Sequence, residues 1–336
     1  DAVAGSSDYR HISGILKQLG STDTIRREHL LSVGKTDFIA DSSFPRLIST
    51  PSSYAYIKIA EGCSNHCSYC MIPALRGEFR SRREKDIFNE AVTLAKMGVK
   101  ELVLIANDSA FYGKNKTGRK LGNLLEKLHV IKSIKRIRIL YMHPAHIGEG
   151  LIKKIASLPK VARYFDIPVQ HTDNFILKKM KRPPFEETRR LIETIRKHIP
   201  GAAVRTTFIT GFPGETEKRF CKLTEDIKEI KFSWAGVFNY SPEKGTPASA
   251  MKGRPSASEA LWRAEKLMKI QQKISFDFAR SFVGKTLEII ADSPFRGRTE
   301  FQAPGVDGEV IFMKKQRQGS VKKMKIISSK GYDLIA

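Results

Sequence analysis

Six short apolar runs, separated by amphipathic helical stretches, follow one another through the middle of this chain of 336 residues. The runs lie at 54–59, 102–106, 136–142, 164–169, 203–209 and 233–240. The run Leu102-Val103-Leu104-Ile105 is apolar at every position, which is typical of a parallel strand buried on both faces. Six successive strand–helix units predict an α/β fold, a parallel (β/α)6 barrel or partial barrel. Ligands of such folds gather at the carboxyl ends of the strands.

The sequence changes character after this region. A long helix is predicted to begin at Ser256, because Ser256 and Glu259 have the spacing of a capping box. Residues 281–336 then alternate short β-like runs with turns rich in Gly, Pro and Asp. These runs lie at 286–290, 309–312 and 324–327. The pattern predicts a small antiparallel β-barrel appended to the α/β body.

Residues 1–50 match neither pattern. They combine a short amphipathic helix, predicted at 12–19, with charged and Ser-rich sequence. This stretch is too small to bury a core of its own. The sequence therefore predicts three parts: 1–50, 51–280 and 281–336.

The charge balance is strongly basic. The chain has 59 Lys and Arg against 35 Asp and Glu, a formal net charge of +24. Such a charge favours RNA or a ribonucleoprotein surface as a partner, although a generally basic proteome would produce the same balance. The densest positive run is 314–325, near the carboxyl end. No apolar run approaches the roughly 18 residues of a membrane span, so we expect no membrane contact.

Three of the four cysteines fall within eight residues: Cys63, Cys67 and Cys70. Clustered thiols point to a metal centre in a reducing compartment rather than to a disulfide framework, so we expect a cytoplasmic protein. Thiolates suit iron–sulfur clusters or zinc. A structural zinc needs four ligands, and His66, beside Cys67, is poorly placed to be the fourth. Cys221 lies far along the chain on a predicted helix, and we interpret it as uninvolved.

Cys-x3-Cys-x2-Cys after the first strand of such a barrel resembles the radical S-adenosylmethionine (SAM) superfamily. The stretches 75–82 and Thr210-Gly211-Phe212-Pro213-Gly214-Glu215-Thr216 are similar to those of its methylthiotransferase family, and 281–336 resembles that family's TRAM domain. The resemblance implies a 4Fe–4S cluster on the three cysteines, with one iron left open for SAM. It also makes 51–280 the radical SAM core.

The resemblance suggests one residue that contacts SAM, and positions on predicted strands suggest five more. Tyr69 fills the aromatic position near the adenine. Asn107, Gln170, Arg205, Gly211 and Gly214 stand on predicted strands or at their ends. Each also has a purely structural interpretation: a loop cap for Asn107 and Gln170, an ion pair for Arg205, and a tight turn for the two glycines. His143 and His146 are interpreted as solvated loop residues. No catalytic residue is expected beyond the cluster ligands.

The stretches 140–144, 164–171 and 205–208 resemble the branch of the family that methylthiolates an aspartate of small-subunit ribosomal protein twelve. In that branch a 5′-deoxyadenosyl radical removes a hydrogen from the aspartate β-carbon. A second SAM supplies the methyl group, and an N-terminal 4Fe–4S cluster supplies sulfur. The resemblance implies the ribosomal protein, on the ribosome, and a reductant such as flavodoxin or ferredoxin as partners, with RNA contact by the tail. A tRNA adenosine substrate and a non-enzymatic RNA-binding scaffold with a structural cluster remain alternatives.

No cysteine precedes Cys63, although the family carries its second cluster on an N-terminal domain. We therefore interpret 1–50 as the remnant and linker of that domain, and expect a truncated chain that is incomplete for the full reaction. The tail 281–336 is expected to dock the target and to be dispensable for SAM cleavage.

The cysteine assignment makes a direct prediction. Replacing Cys63, Cys67 or Cys70 with Ala should abolish the visible iron–sulfur absorption of the anaerobically reconstituted protein and stop SAM cleavage, because all three ligands hold one cluster. Iron analysis of the unaltered chain should give about four irons per chain. Cys221→Ala is the matched control and should leave both readouts intact. Loss of the cluster in that variant would contradict the ligand set.

Overall fold

The computed structural model has a small amino-terminal unit, a parallel barrel and a carboxyl-terminal β-domain. The described residues are 2–20, 30–44 and 46–336. At the amino end, strands β1 (Ala2–Ala4) and β2 (Leu30–Ser32) pair in parallel, and helix α1 (Ile12–Gly20) lies between them in sequence. This helix confirms the one predicted at 12–19.

The barrel strands all run parallel. They are β3 (Tyr54–Lys58), β6 (Glu101–Ile105), β7 (Arg136–Ile139), β8 (Tyr164–Asp166), β9 (Ala203–Thr210) and β10 (Trp234–Asn239). A short hairpin of β4 (Ala60–Glu61) and β5 (Arg80–Ser81) follows β3. The strands form two sheets in the orders β3-β6-β7 and β8-β9-β10, and a parallel bridge between Ile137 and Val161 joins the two. The predicted partial (β/α)6 barrel is confirmed.

Helices follow the strands and cover the outside of the barrel. They are α2 (Ile72–Arg76), α3 (Glu84–Lys96), α4 (Arg119–His129), α5 (Glu149–Ser157), α6 (Asn174–Met180), α7 (Phe185–His198), α8 (Glu217–Ile230) and α9 (Ala257–Arg280). Short 3-10 turns lie at Asp8–His11, Ser109–Lys114, Pro144–His146 and Pro247–Ala250. Along the described part of the chain, no helix has the length and apolarity needed to cross a membrane.

Local sequence explains where these elements form. In β6, Leu102, Val103 and Leu104 are all fully buried, because helices cover one face and the barrel interior covers the other. Helix α9 begins where the capping signal placed it: the Ser256 hydroxyl accepts a hydrogen bond from the Glu259 N–H at 3.1 Å.

Two strands end earlier than their apolar runs predict. Strand β7 stops at Ile139, and Tyr141 then adopts a left-handed conformation with φ of 59°. Strand β8 stops at Asp166, whose carboxylate accepts a hydrogen bond from the Tyr141 N–H at 3.1 Å. Further on, Gln170 is also left-handed, with φ of 73°. Both segments therefore leave regular pairing at the carboxyl edge of the barrel, where ligands of this architecture bind.

The tail forms a six-stranded sheet in the order β14-β11-β12-β13-β16-β15. Its strands are β11 (Thr286–Ala291), β12 (Arg296–Arg298), β13 (Val310–Ile311), β14 (Val321–Lys325), β15 (Ser328–Lys330) and β16 (Asp333–Ile335). The predicted antiparallel character is confirmed with one exception, since β13 and β16 pair in parallel. The sequence missed β12, β15 and β16, which are only three residues long, and the first two have no large apolar side chain.

The tail packs into the amino-terminal end of the barrel. Val103, Leu140 and Trp234 face the barrel interior and share one apolar cluster with Phe282, Phe301 and other tail side chains. The Trp234 indole N–H donates to the Phe301 carbonyl at 2.7 Å. The lower half of the barrel interior is therefore filled by the tail.

A buried carboxylate lies at the centre of this interface. Glu101 on β6 is fully buried and pairs with Arg138 of the barrel at 2.7 Å and with Arg298 of the tail at 2.8 Å. Arg136 lies 3.7 Å away. Burial opposes ionisation of Glu101, yet the three guanidinium groups lower its pKa from 4.5 to about 2.

This interface corrects the expectation that the tail is dispensable for SAM cleavage. Removal of 281–336 would expose the apolar floor of the barrel and leave Glu101 without Arg298. It would also remove the Thr299 and Glu300 carbonyls that accept hydrogen bonds from Arg138. The deletion is thus expected to destabilise the barrel itself, because buried charges and apolar surface lose their partners.

Glu101→Gln should lower the free energy of unfolding by about 3–5 kcal/mol, because it leaves buried guanidinium groups without their counter-ion. Since the folded pKa of Glu101 is depressed, its ionic contribution is complete above its unfolded pKa of 4.5 and is lost as pH falls towards about 2. Urea unfolding at neutral and acidic pH measures both effects.

Glu126→Gln is the matched control, because Glu126 forms a half-exposed ion pair with Lys154. Its effect should be below about 1 kcal/mol. Equal destabilisation by the two substitutions would contradict the special role of Glu101.

Candidate metal and cofactor site

The cysteine loop begins at a position that only glycine can occupy. Gly62 has φ of 77°, and a Cβ there would lie 2.2 Å from the Glu78 carbonyl oxygen. This close approach lets the Cys63 N–H donate to the Gly77 carbonyl at 3.1 Å. The loop is therefore fixed to the strand that returns from it, and Cys63 is buried at its base.

Two other segments hold the far side of the loop. The Ser68 N–H donates to the Met180 carbonyl at the end of α6, at 3.1 Å. The Ser68 carbonyl accepts from the Ala248 N–H at 2.9 Å. The Cys70 N–H donates to the Cys67 carbonyl at 3.1 Å, which forms a tight turn between the last two cysteines. The three thiols are thus presented from one fixed loop.

The spacing of the three sulfurs fits a cluster better than one ion. Ligands of a single zinc, bound at about 2.3 Å, would lie about 3.8 Å apart. The three thiols do not form a compact group of ligand atoms for a single ion among the described residues, whereas a four-iron cluster gives each thiolate its own iron. His66 is exposed and joins no such ligand group among the described residues.

Burial raises the pKa of the Cys63 thiol to about 11 and also raises that of Cys70. These thiols therefore hold their protons until a metal centre displaces them, and metal binding is expected to release protons.

A buried network supports the loop from below. Asp108, just past β6, accepts hydrogen bonds from the Asn65 side chain at 2.8 Å and from His146 Nδ1 at 2.6 Å. Burial opposes ionisation of Asp108, but the hydrogen bonds from His146 and Asn65 help to hold its pKa below the ordinary value. An ionised Asp108 can only accept, so His146 Nδ1 carries the proton. Asp108 thereby positions Asn65, two residues from Cys63.

His143 belongs to the same group. Its Nδ1 accepts from the Ala145 N–H at 3.2 Å, so Nε2 carries the proton, and this buried atom has no partner among the described residues. Burial and the charge of Arg182 lower the pKa of His143 to about 3, so the ring is neutral at physiological pH. Both His143 and His146 are 8% exposed, which corrects the expectation of solvated loop residues.

Gln170 and Tyr141 are strained residues at the edge of the site. Each adopts the left-handed conformation that favours glycine, and such strain clusters at functional sites. The Gln170 side-chain oxygen is buried without a partner among the described residues, while the Tyr141 side chain is half-exposed. The predicted contact of Gln170 with SAM remains a prediction, and a buried acceptor without a donor supports it.

Tyr69 lies beside the turn that carries Gly211 and Gly214. The Tyr69 ring packs edge-on against Phe212, with 6.4 Å between centroids. A Cβ on Gly211 would lie 2.5 Å from Ala260 Cβ in α9, and one on Gly214 would lie 2.9 Å from the Phe175 ring. Contacts within the protein therefore account for both glycines, and their contact with SAM stays a prediction.

The remaining two residues predicted to contact SAM, Asn107 and Arg205, have surroundings in the structure that differ from those assumed in the prediction. Asn107 is exposed, and it is the next residue, Asp108, that turns inward. Arg205 lies low in the barrel and pairs with Asp166 and Asp307, each at 3.4 Å. Its structural interpretation is therefore supported, since its guanidinium already has two carboxylate partners.

The chain offers donors and acceptors that fit a cluster and SAM. Few buried polar groups in a folded protein lack hydrogen-bond partners. In the described residues, several such atoms gather in the cysteine loop and in the segments after β7, β8 and α6. They are Ser68 Oγ, His143 Nε2, Gln170 Oε1, Thr172 Oγ1 and Arg182 Nε. Sequence reasoning missed Asn65 and Arg182, chose Asn107 over its neighbour Asp108, and interpreted His146 as a solvated loop residue. The sequence signal that could have identified these residues is a polar or charged residue directly beside the cysteine motif or just past the end of a helix or strand.

Comparison with known proteins agrees with this geometry. Residues 57–227 match the model of the radical SAM superfamily, and residues 283–336 match that of the TRAM domain. A ribosomal protein uS12 methylthiotransferase RimO from Heliobacterium modesticaldum is 40% identical over all of this chain and 74% of its own length. The RimO of Clostridioides difficile is 43% identical over 94% of this chain and 71% of its own.

Coproporphyrinogen III oxidase of Escherichia coli, a radical SAM enzyme, is similar in fold. Its TM-score is 0.50, with 16% identity over 67% of this chain and 53% of its own. At this identity the likeness concerns the fold alone.

The Asp108 network can be tested through cluster retention. Asp108→Asn replaces an anionic acceptor, whose hydrogen bonds contribute about 1.5–3 kcal/mol each, by a neutral amide. We expect the cysteine loop to loosen and the reconstituted protein to lose iron to a chelator several-fold faster, followed by its visible absorption. Asn107→Ala, at the exposed neighbour, should lose iron at the unaltered rate. Equal rates for the two variants would contradict the network.

Proposed function

Because this chain belongs to the RimO family of radical SAM methylthiotransferases, we propose that it methylthiolates the β-carbon of an aspartate in ribosomal protein uS12. The observation that carries the proposal is the cysteine loop, held at the carboxyl edge of a barrel whose upper interior is open. When bound, the cluster supplies the electron that cleaves SAM to a 5′-deoxyadenosyl radical. Cys63, Cys67 and Cys70 would hold the cluster.

The other residues of the site bind and orient. Tyr69 and Gln170 are proposed to contact SAM from two sides, the first through its ring and the second through its side-chain oxygen, which has no partner within residues 2–20, 30–44 and 46–336. His143 Nε2 offers one further neutral donor in the same region. None of these groups needs to transfer a proton, and their contribution is to fix the cofactor in the reactive orientation.

The shape of the barrel is suited to a substrate side chain that a macromolecule presents to the cofactor. Strands β3 and β10 form the two ends of the strand order and do not pair with each other, which leaves one side of the barrel open. The tail fills the lower interior, whereas Ile105 and Ile209 in the upper interior are partly exposed and Phe238 is exposed. An extended loop of a protein could enter from the open side and place one side chain beside the cofactor.

The tail favours a protein substrate over tRNA. Sequence-specific reading of single-stranded RNA relies on aromatic side chains that stack on bases. In the tail Phe282, Phe301 and Phe312 are buried and Tyr332 packs against Trp234, which leaves Phe295 as the exposed aromatic residue of 281–336. The tail therefore lacks a stacking platform.

The edge strand β14 nevertheless gives the tail a basic surface. Its Lys322, Lys323 and Lys325 are exposed, as are Lys314 and Lys315 before it. Such a surface attracts RNA phosphates without reading their sequence. It supports uS12 as part of the ribosome as the target, with ribosomal RNA contacting the tail.

Deuterium transfer separates the candidate substrates and needs no sulfur donor. The reconstituted chain is given SAM, a reductant and uS12 that carries deuterium on the aspartate β-carbon. Hydrogen removal from that carbon should place deuterium in 5′-deoxyadenosine, which mass spectrometry detects. Because the label is followed into the cofactor product, the step is read even when no methylthio group is attached.

Two controls complete the experiment. A uS12 variant with Ala at the modified aspartate should give unlabelled 5′-deoxyadenosine, and the Cys63→Ala chain should give none. Deuterium transfer from labelled tRNA, with none from uS12, would favour the tRNA alternative. Absence of SAM cleavage by a chain that holds its cluster would favour the scaffold.

A further inference from the structure

Arg182 is buried beside the cysteine loop, and the sequence motifs give it no role. Helix α6 ends at Met180, and Lys181 adopts a left-handed conformation with φ of 58°. The Arg182 N–H then donates back to the Leu177 carbonyl at 2.9 Å, which closes the helix end. This turn directs the next side chain inward, and Arg182 is only 8% exposed.

The guanidinium of Arg182 contacts the loop directly. Its Nη1 donates to the sulfur of Cys67 at 4.0 Å, and its Nη2 donates to the Pro168 carbonyl. Its Nε has no partner in the described part of the protein. The positive charge of Arg182 also acts to lower the pKa of the neighbouring Cys70 and of His143. Arg182 is therefore held between the cysteine loop and the segment that leads to Gln170.

Arg182 differs from the other deeply buried arginines in its partners. Arg138 and Arg298 pair with Glu101, and Arg263 pairs with Glu215 at 3.0 Å. No carboxylate in the described residues lies within ion-pair distance of Arg182, and its guanidinium instead contacts the Cys67 thiol. A buried charge without a counter-ion costs several kcal/mol. The missing counter-charge is expected from whatever group the cysteines hold.

A 4Fe–4S cluster on three thiolates supplies that charge. Three thiolates outweigh a [4Fe–4S]2+ core, so the assembly is already anionic before reduction. One electron from a low-potential one-electron donor converts the core to [4Fe–4S]1+ and adds one more negative charge. A fixed cation at the ligand sulfur attracts the reduced form more strongly, and low solvent exposure strengthens this attraction.

We propose that Arg182 is a positioning residue that hydrogen-bonds to the Cys67 ligand and raises the reduction potential of the cluster. The proposal rests on the cluster assignment and is independent of the choice between uS12 and tRNA. Removing the charge and the N–H···S contact should make the reduced cluster less stable while leaving all three thiolate ligands in place. Hydrogen bonds to sulfur and local charge are two of the factors that set such potentials.

The test is a redox titration of the reconstituted chain without SAM, followed by electron paramagnetic resonance of the reduced cluster. Arg182→Gln keeps a donor but removes the charge. At the midpoint potential of the unaltered chain, its reduced-to-oxidised ratio should fall about tenfold, a shift of about 59 mV for one electron. Arg182→Lys keeps the charge but loses the planar fork, so it should shift in the same direction by less.

Iron content and visible absorption establish that each variant holds its cluster. Arg189→Gln is the matched control, because Arg189 lies on α7 and already has two carboxylate partners, the buried Asp226 and the exposed Glu229. It should titrate like the unaltered chain. A purely structural role of Arg182 would lower the melting temperature without moving the potential, and that result would overturn the proposal.

Two further outcomes would also overturn it. If Arg182→Gln holds its cluster at the unaltered potential but binds SAM more weakly, Arg182 contacts the SAM carboxylate instead. If Arg182→Gln fails to load, Arg182→Lys decides the question. A loaded Lys variant with a potential equal to or above that of the unaltered chain contradicts the inferred role.

Discussion

The pairing of Glu101 with Arg138 and Arg298 is the interaction on which the rest of the structure depends. It joins the centre of the parallel sheet to a domain almost two hundred residues further along the chain. A carboxylate at this depth is tolerable only because guanidinium groups surround it. Arg138 and Arg136 also donate to backbone carbonyls of the tail, so the same charges orient the two domains. The tail thereby becomes the floor of the barrel rather than an independent appendage.

The two ends of the barrel are built in opposite ways. At the floor, Tyr164 donates to Asp307, Arg205 pairs with the same carboxylate, and apolar side chains fill the remaining space. At the carboxyl edge, His143 and Gln170 keep buried atoms that find no partner in the described ranges of the chain, and Gln170 is strained as well. At the floor the polar groups have hydrogen-bond partners and the apolar side chains are tightly packed. This stability can offset the cost of polar groups at the carboxyl edge that are free to bind a ligand, which is how natural proteins accommodate functional sites.

The site also divides its tasks among segments that are far apart in sequence. One loop carries the three thiols, the end of β6 supplies Asp108 beneath it, and the end of α6 supplies Arg182 against Cys67. Each of these side chains lies in a segment that follows a strand or helix, so regular secondary structure fixes the backbone before the segment but not within it. Rigid elements therefore set the position of the loop, while the short segments after them set its chemistry.

The sequence by itself determined the architecture, and it predicted the three cysteines as metal ligands. Periodicity showed the strand–helix alternation, and the spacing of Cys63, Cys67 and Cys70 required no tertiary information because all three lie in one loop. It could not determine which of Asn107 and Asp108 turns inward, since the strand ends just before them and alternation no longer applies. Nor could it separate Arg205, neutralised by two carboxylates, from Arg182, which has no carboxylate partner in the part of the chain that the structure describes. Those assignments depend on which distant groups meet, and only the packing of the barrel, α6 and the tail decides that.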